Sequence, residues 1–312
     1  MADGFDDHPF IMPLMHLTRS RNATLIPALR FWALPILTCL LILANIIWIG
    51  LDSEHMTAIA AAMIVLAGIP HGTLDVEIAA LRFGQASFAG RALIVAIYGT
   101  CALSMVLLWF QLPSLALISF LVISVVHFSL DWRGRSEPFL ALMVGWALVA
   151  LPALSHPQAV ASIFEVLTGN EGGGIIAALL ACSSIPAALG SIVFAHWSYL
   201  HGDKKIAVDV ATCLIAALFL PPLIAFAIFF CGLHSPRHMA DAMRETGMIA
   251  PPKKAMIILI VFALSIGLGV LLFVAHDPLS IEEGVIRAAF VLISTLTVPH
   301  FLLEQFASRH SR

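Results

Sequence analysis

Residues 221–243 read PPLIAFAIFFCGLHSPRHMADAM, and the architecture turns on how this stretch is divided. Two consecutive prolines, Pro221 and Pro222, remove two amide donors and favour a turn. The apolar runs before them (206–220) and after them (223–242) then form two helices; the alternative is one long kinked helix. The second run is as greasy as a lipid tail, yet it ends in two imidazoles, His234 and His238, four residues apart with Pro236 and Arg237 between them.

The rest of the 312-residue chain has the same character. Sixty per cent of it is apolar and 11 % is charged, where a soluble domain carries roughly 25 % charged residues. Apolar runs of about 17–25 residues, the length that crosses a bilayer core, recur throughout. They predict an all-α polytopic membrane bundle of about ten transmembrane helices: 31–51, 57–81, 92–110, 115–132, 138–154, 175–200, 206–220, 223–242, 255–275 and 285–306. Residues 1–30 read as a partly disordered cytosolic tail without the apolar core and cleavage site of a signal peptide. Residues 31–306 read as one transmembrane catalytic domain, and 307–312 as a second short tail. The loop 155–174 contains GNEGGG and leaves room for a short interfacial helix at 158–168. All five cysteines sit inside apolar runs without metal-ribbon or redox spacing. A nucleic-acid partner is not expected.

Charge chooses between nine and ten helices. Arg and Lys concentrate in cytoplasmic loops. With the N-terminus inside and ten helices, the basic residues at 19–30, 82, 91, 133, 135, 204, 205, 237–254, 309 and 312 share the cytoplasmic side, and Arg287 alone falls opposite. Merging the helices around Pro221 would put Arg237 to Lys254 on the wrong side. Both termini are therefore expected in the cytoplasm and the chain in the cell's inner (plasma) membrane.

Polar groups inside such helices are costly and usually face a bundle interior or a site. Four stretches carry them: GIPHGTLDVE (68–77), VVHFSLDW (125–132), CGLHSPRHMADAM (231–243) and TVPHFLLEQ (297–305). They bring His71, His127, His234, His238 and His300 from the second, fourth, eighth and tenth predicted spans. All four spans run in the same direction, and all five histidines lie in their C-terminal halves. They share one depth, in the cytoplasmic half of the membrane, which predicts convergence. Imidazole suits Zn, Cu, Fe and Ni. His234 and His238, at i and i+4, project from one helix face and can reach one ion. Pro236 either kinks this helix, freeing the Gly232 carbonyl, or breaks it; both remain open here. Pro70 and Pro299 precede His71 and His300 and predict bends there. Ligating histidines commonly hand their second N–H to a carboxylate; Asp75 and Asp131 could serve histidines of neighbouring helices, and Glu304, one turn beyond His300, is a third candidate. Arg237 reads as a positive-inside or snorkelling residue.

These ordered stretches resemble the Brp/Blh family of β-carotene 15,15′-dioxygenases, from about residue 57 to 306. The resemblance implies cleavage of β-carotene at its central double bond by O2, giving two molecules of all-trans-retinal. It implies Fe(2+) held by four histidines, carried here by His71, His127, His234 and His238; His300 matches a further family histidine, as ligand or as support for one. It also implies retinal supply to a microbial rhodopsin. The substrate dissolves only in membrane lipid, so Phe128, Phe226, Phe229, Phe230 and Phe301 are candidate walls of its tunnel, and a polyene lying tilted or nearly parallel to the membrane would bring its middle to the histidine layer.

Competing readings are a membrane oxygenase acting on another carotenoid or lipid, and a non-enzymatic metal or proton transporter. Diiron lipid hydroxylases usually carry about eight histidines with H-x₂-H-H clusters, and no His-His dipeptide occurs here. A transporter favours polar groups on both sides of the midplane, whereas the outer halves of these spans are almost uniformly apolar.

Overall fold

The computed structural model describes residues 15–47, 54–85, 87–132, 137–247, 251–274 and 280–310, without the side chains of residues 15–30, 54, 71, 273 and 307–310. Among these residues there are helices and no strands. In order they are α1 (Met15–Ile47), α2 (Glu54–Gly72), α3 (Asp75–Arg82), α4 (Phe88–Gln111), α5 (Pro113–Ser129), α6 (Pro138–Ser155), α7 (Pro157–Thr168), α8 (Gly172–Leu200), α9 (Lys204–Phe219), α10 (Pro222–Phe229), α11 (Ser235–Glu245), α12 (Pro251–Val274) and α13 (Ile281–His310). A 3₁₀ turn, Leu130–Trp132, follows α5, and a π-helical turn, Phe230–His234, joins α10 to α11.

Among the described residues, seven helical stretches are long and apolar enough to cross a membrane: His55–Arg82, Phe88–Gln111, Pro113–Trp132, Pro138–Ser155, Gly172–Leu200, Pro251–Leu272 and Ile281–Phe306. The remaining predicted spans coincide with Phe31–Ile47, which is shorter, with α9, and with the interrupted rod of α10, π turn and α11. Only helices and closed barrels satisfy every backbone group in lipid, so the apolar runs of the sequence and the helices of the fold coincide closely. The side chains that point outward include Leu103, Ile192 and Leu264, more than half exposed. An apolar surface of this extent belongs against hydrocarbon or a partner, not water.

The structure differs from expectation in two places. First, α1 begins at Met15, inside the segment read as a tail. Residues 15–26 contain neither proline nor glycine, so nothing there stops a helix from propagating. Second, the second predicted span breaks. After Pro70 the helix stops at Gly72, and Thr73 Oγ1 donates to the Pro70 carbonyl at 2.7 Å, satisfying backbone that the turn releases. Of the two readings left open for Pro236, the break is the one observed: it lies at a helix start and not in a helix interior. The π turn ends the first hydrogen-bonding register, and α11 restarts at Ser235 with Pro236 in its first turn. An N–H is not needed there, because first-turn amides have no intrahelical acceptor. Pro221 and Pro222 do separate two helices: Leu220 is extended (φ −112°, ψ 152°) and Pro222 opens α10.

Glycines set the closest helix contacts. A methyl on Gly145 of α6 would overlap the Val125 carbonyl and lie 2.9 Å from the Ser129 amide nitrogen. α5 and α6 thus touch backbone to backbone just before the turn that carries Asp131. At the other end, α7 closes with Gly169 at φ +70°, and Arg287 of α13 reaches across to donate to the Val166 carbonyl through Nε at 2.8 Å.

Candidate metal centre

The break in α2–α3, the 3₁₀ turn after α5, the π turn and the proline-bearing part of α13 meet at one level of the bundle. Each of these segments turns a polar side chain inward. His127 comes from the last turn of α5, His234 from the π turn, His238 from the first turn of α11, and His300 from α13 next to Pro299. His127 and His234 are 2 % and 0 % exposed.

The rings crowd together. Ring centroids lie 4.9 Å apart for His127 and His234, 5.5 Å for His127 and His238, 4.4 Å for His234 and His238, 5.2 Å for His127 and His300, and 6.0 Å for His238 and His300. Possible ligand atoms of His127, His234 and His238 lie within 4.8 Å of one another, and so do those of His127, His300 and Glu304. His127 belongs to both groups.

Carboxylates orient these rings. Asp131 Oδ2 lies 2.7 Å from His234 Nδ1, and its Oδ1 lies 3.3 Å from His238 Nε2. One carboxylate therefore addresses both members of the i, i+4 pair. Asp75, first residue of α3, lies 2.8 Å from His300 Nδ1 through Oδ2. A ring held at Nδ1 turns Nε2 away from the carboxylate, the arrangement common among metal-ligating histidines. Glu304 Oε2 stands 3.5 Å from His127 Nδ1, and neither buried atom has a hydrogen-bond partner. A cation held near these two atoms would satisfy both, and neutral imidazoles with a carboxylate suit a divalent transition metal; two histidines and one carboxylate is also the donor set of many non-haem iron oxygenases.

His71 sits on the last turn of α2, and its side chain lies outside the described residues. Its neighbour is near the centre: a methyl on Gly72 would lie 3.3 Å from Asp75 Oδ2 and 3.8 Å from His300 Nδ1.

Two apolar cavities flank the cluster. The larger, about 430 Å³, lies between α2, α4, α12 and α13 and reaches Asp75, Tyr98, Phe230 and His300. The smaller, about 90 Å³, lies among α2, α5, α6, α7, α10 and α13 and is walled by Phe128 and Phe226. Ile293 lines both. Phe226 and Phe230 stack at 5.2 Å and 17°, one facing each cavity. Phe230 also stacks on His234 at 5.3 Å. Phe229 packs against Phe128 at 4.9 Å and Trp132 at 6.4 Å, while Phe301 lies 6.0 Å from His127. A third, polar cavity of about 160 Å³ opens from His238, His300 and Glu304 toward Asp241 and Glu245. Arg82 spans from α3 to Glu245 of α11 with a bidentate ion pair at its edge, Nη2 to Oε2 being 2.7 Å.

Sequence reading missed three contributors. Tyr98 of α4 places its hydroxyl 3.4 Å from Asp75 Oδ2 and 3.3 Å from the Leu296 carbonyl. Arg82 with Glu245 is a second. The third is Asp209 of α9, wholly buried, which accepts from Arg237 Nη2 at 2.6 Å. Arg237 is thus tied inward rather than merely lying on the positive side. The only sequence signal for Asp209 was a carboxylate inside an apolar run.

A family model described as Beta-carotene 15,15'-dioxygenase matches residues 62–307, a range that includes all of these histidines. A protein of uncultured marine bacterium 66A03 named Beta-carotene 15,15'-dioxygenase is 30 % identical over 262 residues, covering 80 % of this chain and 93 % of that protein. A protein of Halobacterium salinarum named Probable beta-carotene 15,15'-dioxygenase Blh is 24 % identical over 301 residues, covering 84 % and 87 %. No solved structure matches. The match runs from the middle of α2 to the end of α13, so the helices that carry the histidine cluster and both apolar cavities are those by which this chain belongs to the β-carotene 15,15′-dioxygenase family.

Proposed function

We propose that the chain is a membrane non-haem iron dioxygenase that cleaves the central double bond of β-carotene with O2 and releases two all-trans-retinal. The observation that carries this reading is the meeting of His127, His234, His238 and His300 beside an apolar cavity of about 430 Å³, a volume within the usual range for small-molecule sites, about 300–1,000 Å³. His127, His234 and His238 would hold the iron, with His71 as the fourth histidine of the family motif. His300 and Glu304 stand next to the same position. Iron(II) in a neutral imidazole set supplies open coordination positions and the redox chemistry that reaction with O2 requires.

The chain's own residues do the rest. Asp131 and Asp75 hold the ligand rings in one tautomer, so that binding does not have to order them. Phe128, Phe226 and Phe230 form apolar walls that exclude water and accept a polyene, and the Phe226–Phe230 stack parts to let one chain run past the cluster with its ends in the two cavities. Phe229 and Phe301 back these walls and the ligand rings. A substrate of this kind reaches the site from membrane lipid between helices, lying across the bundle at a tilt. The concentration of Arg and Lys in the loops on one side of the predicted spans supports a cluster in the cytoplasmic half of the inner membrane, with both termini inside. Ten spans within residues 31–306 make up the catalytic domain, and the retinal passes on to a microbial rhodopsin.

Expression in cells that accumulate β-carotene tests this directly. The cells should bleach, retinal should be extractable, and the purified protein should hold about one iron per chain rather than the two of a diiron enzyme. His238→Ala should abolish bleaching at unchanged protein level in the membrane. Bleaching by that variant at a near-normal rate refutes the ligand assignment, and intact β-carotene in cells with iron-loaded wild-type protein refutes the substrate.

A further inference from the structure

We propose that Asp209 and Arg237 are a positioning pair that sets the two histidines around the start of α11; this rests on reading the histidine cluster as a metal centre. Asp209 is 0 % exposed among Val210, Cys213 and Ala216, all buried residues of α9. A buried carboxylate is costly unless it is paired and hydrogen-bonded. Lys205, one turn earlier on α9, already pairs with it, so charge neutralisation does not require a second cation. The second cation nonetheless comes from another helix: Arg237 Nη2 meets Asp209 Oδ2 at 2.6 Å.

Where Arg237 stands gives the pair its role. It lies three residues after His234 and one before His238, on the turn that bears both. Its guanidinium also lies over the Trp132 ring, 5.5 Å from the centroid, and Trp132 follows Asp131, the carboxylate that addresses both histidines. One planar cation therefore ties α11 to α9 and to the turn holding Asp131. On α2's side, Ser235 Oγ donates to the Ala67 carbonyl at 2.7 Å. The π turn just before Ser235 replaces the i→i+4 ladder by longer bonds such as Ser235 N–H to the Phe230 carbonyl, so the rotation of α11 is offset from that of α10. External ties of this kind fix it, and with it where His238 points. Arginine suits the task because its flat fork both bonds a carboxylate and stacks on an aromatic face, which lysine's point charge does not reproduce.

The test uses the full chain in detergent, with Co(II) as probe. Arg237→Met leaves Asp209 its Lys205 partner, and the double variant Asp209→Asn/Arg237→Met removes the buried charge altogether. Membrane accumulation and thermal unfolding report folding. Competition against a chelator reports Co(II) affinity, and the visible spectrum of the Co(II) form reports ligand geometry. The expected result is normal accumulation, Co(II) binding weaker by about 10–100-fold, as for loss of groups that orient ligands, and a shifted spectrum in both variants. Arg237→Lys should recover part of the affinity. With β-carotene, kcat should fall while KM stays. Wild-type affinity and spectrum in Arg237→Met or in the double variant overturn the proposal. Failure of both variants to accumulate also overturns it, by assigning the pair to folding instead. A wild-type chain that takes up no Co(II) removes the metal reading itself, a result distinguishable from the others.

Discussion

Asp131→Asn isolates the carboxylate that faces two of the proposed ligands at once. In the wild-type protein its two oxygens face His234 Nδ1 at 2.7 Å and His238 Nε2 at 3.3 Å, so both rings present N–H to it. Asparagine fills the same volume but offers a single acceptor oxygen; its NH₂ is a donor. One histidine keeps its partner, and the other meets donor against donor. Asp131 is almost wholly enclosed, its side chain 3 % exposed, so water does not readily replace the lost acceptor. A hydrogen bond to a charged group contributes about 1.5–3 kcal/mol. Loss of a carboxylate that orients ligands typically lowers metal affinity about 10–100-fold, which corresponds to about 1.4–2.7 kcal/mol. The two routes agree in size. Chelator competition on purified protein should therefore show metal binding weakened by about 10–100-fold, with Asp131→Ala weaker still. An Asp131→Asn protein that binds metal within twofold of wild type would show that the rings are not held by this residue for coordination.

Two further outcomes follow from the packing. Gly145→Ala drives a methyl into the backbone of α5 next to Ser129; backbone cannot give way as a side chain can, so overpacking of about 1–3 kcal/mol outweighs the helix-propensity gain of about 1 kcal/mol, and the melting temperature in detergent should fall. Gly99 lines the larger cavity and a methyl there meets nothing within 4 Å, so Gly99→Phe should fold and bind Co(II) normally while β-carotene turnover drops by at least about tenfold, in line with what pocket volume is worth in discrimination; unchanged turnover would remove this cavity from the substrate path.

The helical spans were legible because lipid leaves the backbone few choices. A run of apolar residues long enough to cross must satisfy its own amides, and the helix does so. Even the Pro221–Pro222 division and the short helix at 157–168 were readable, since proline and glycine act locally. The histidines stood out for the same reason, as polar groups where polarity is expensive. Less visible was how local irregularities resolve. Pro70 and Pro236 announced disturbances, but a turn with Thr73 in one case and a π turn in the other were chosen by what each segment packs against.

Partnership was less legible still. Asp75 follows His71 by one helical turn, yet the histidine it holds in the structure is His300, 225 residues away. Asp131 bonds His234, 103 residues on, and Arg237 leaves its own helix to meet Asp209 on another. By itself the sequence determined that the chain is a bundle of apolar helices with a layer of imidazoles and carboxylates at one depth, because transfer of each residue between water and hydrocarbon is a property of that residue and its near neighbours. Only the tertiary structure decided which carboxylate faces which ring and which helix steadies α11. A hydrogen bond acts over about 3 Å, and no pattern along the chain encodes how helices far apart in sequence rotate to bring two atoms within that reach.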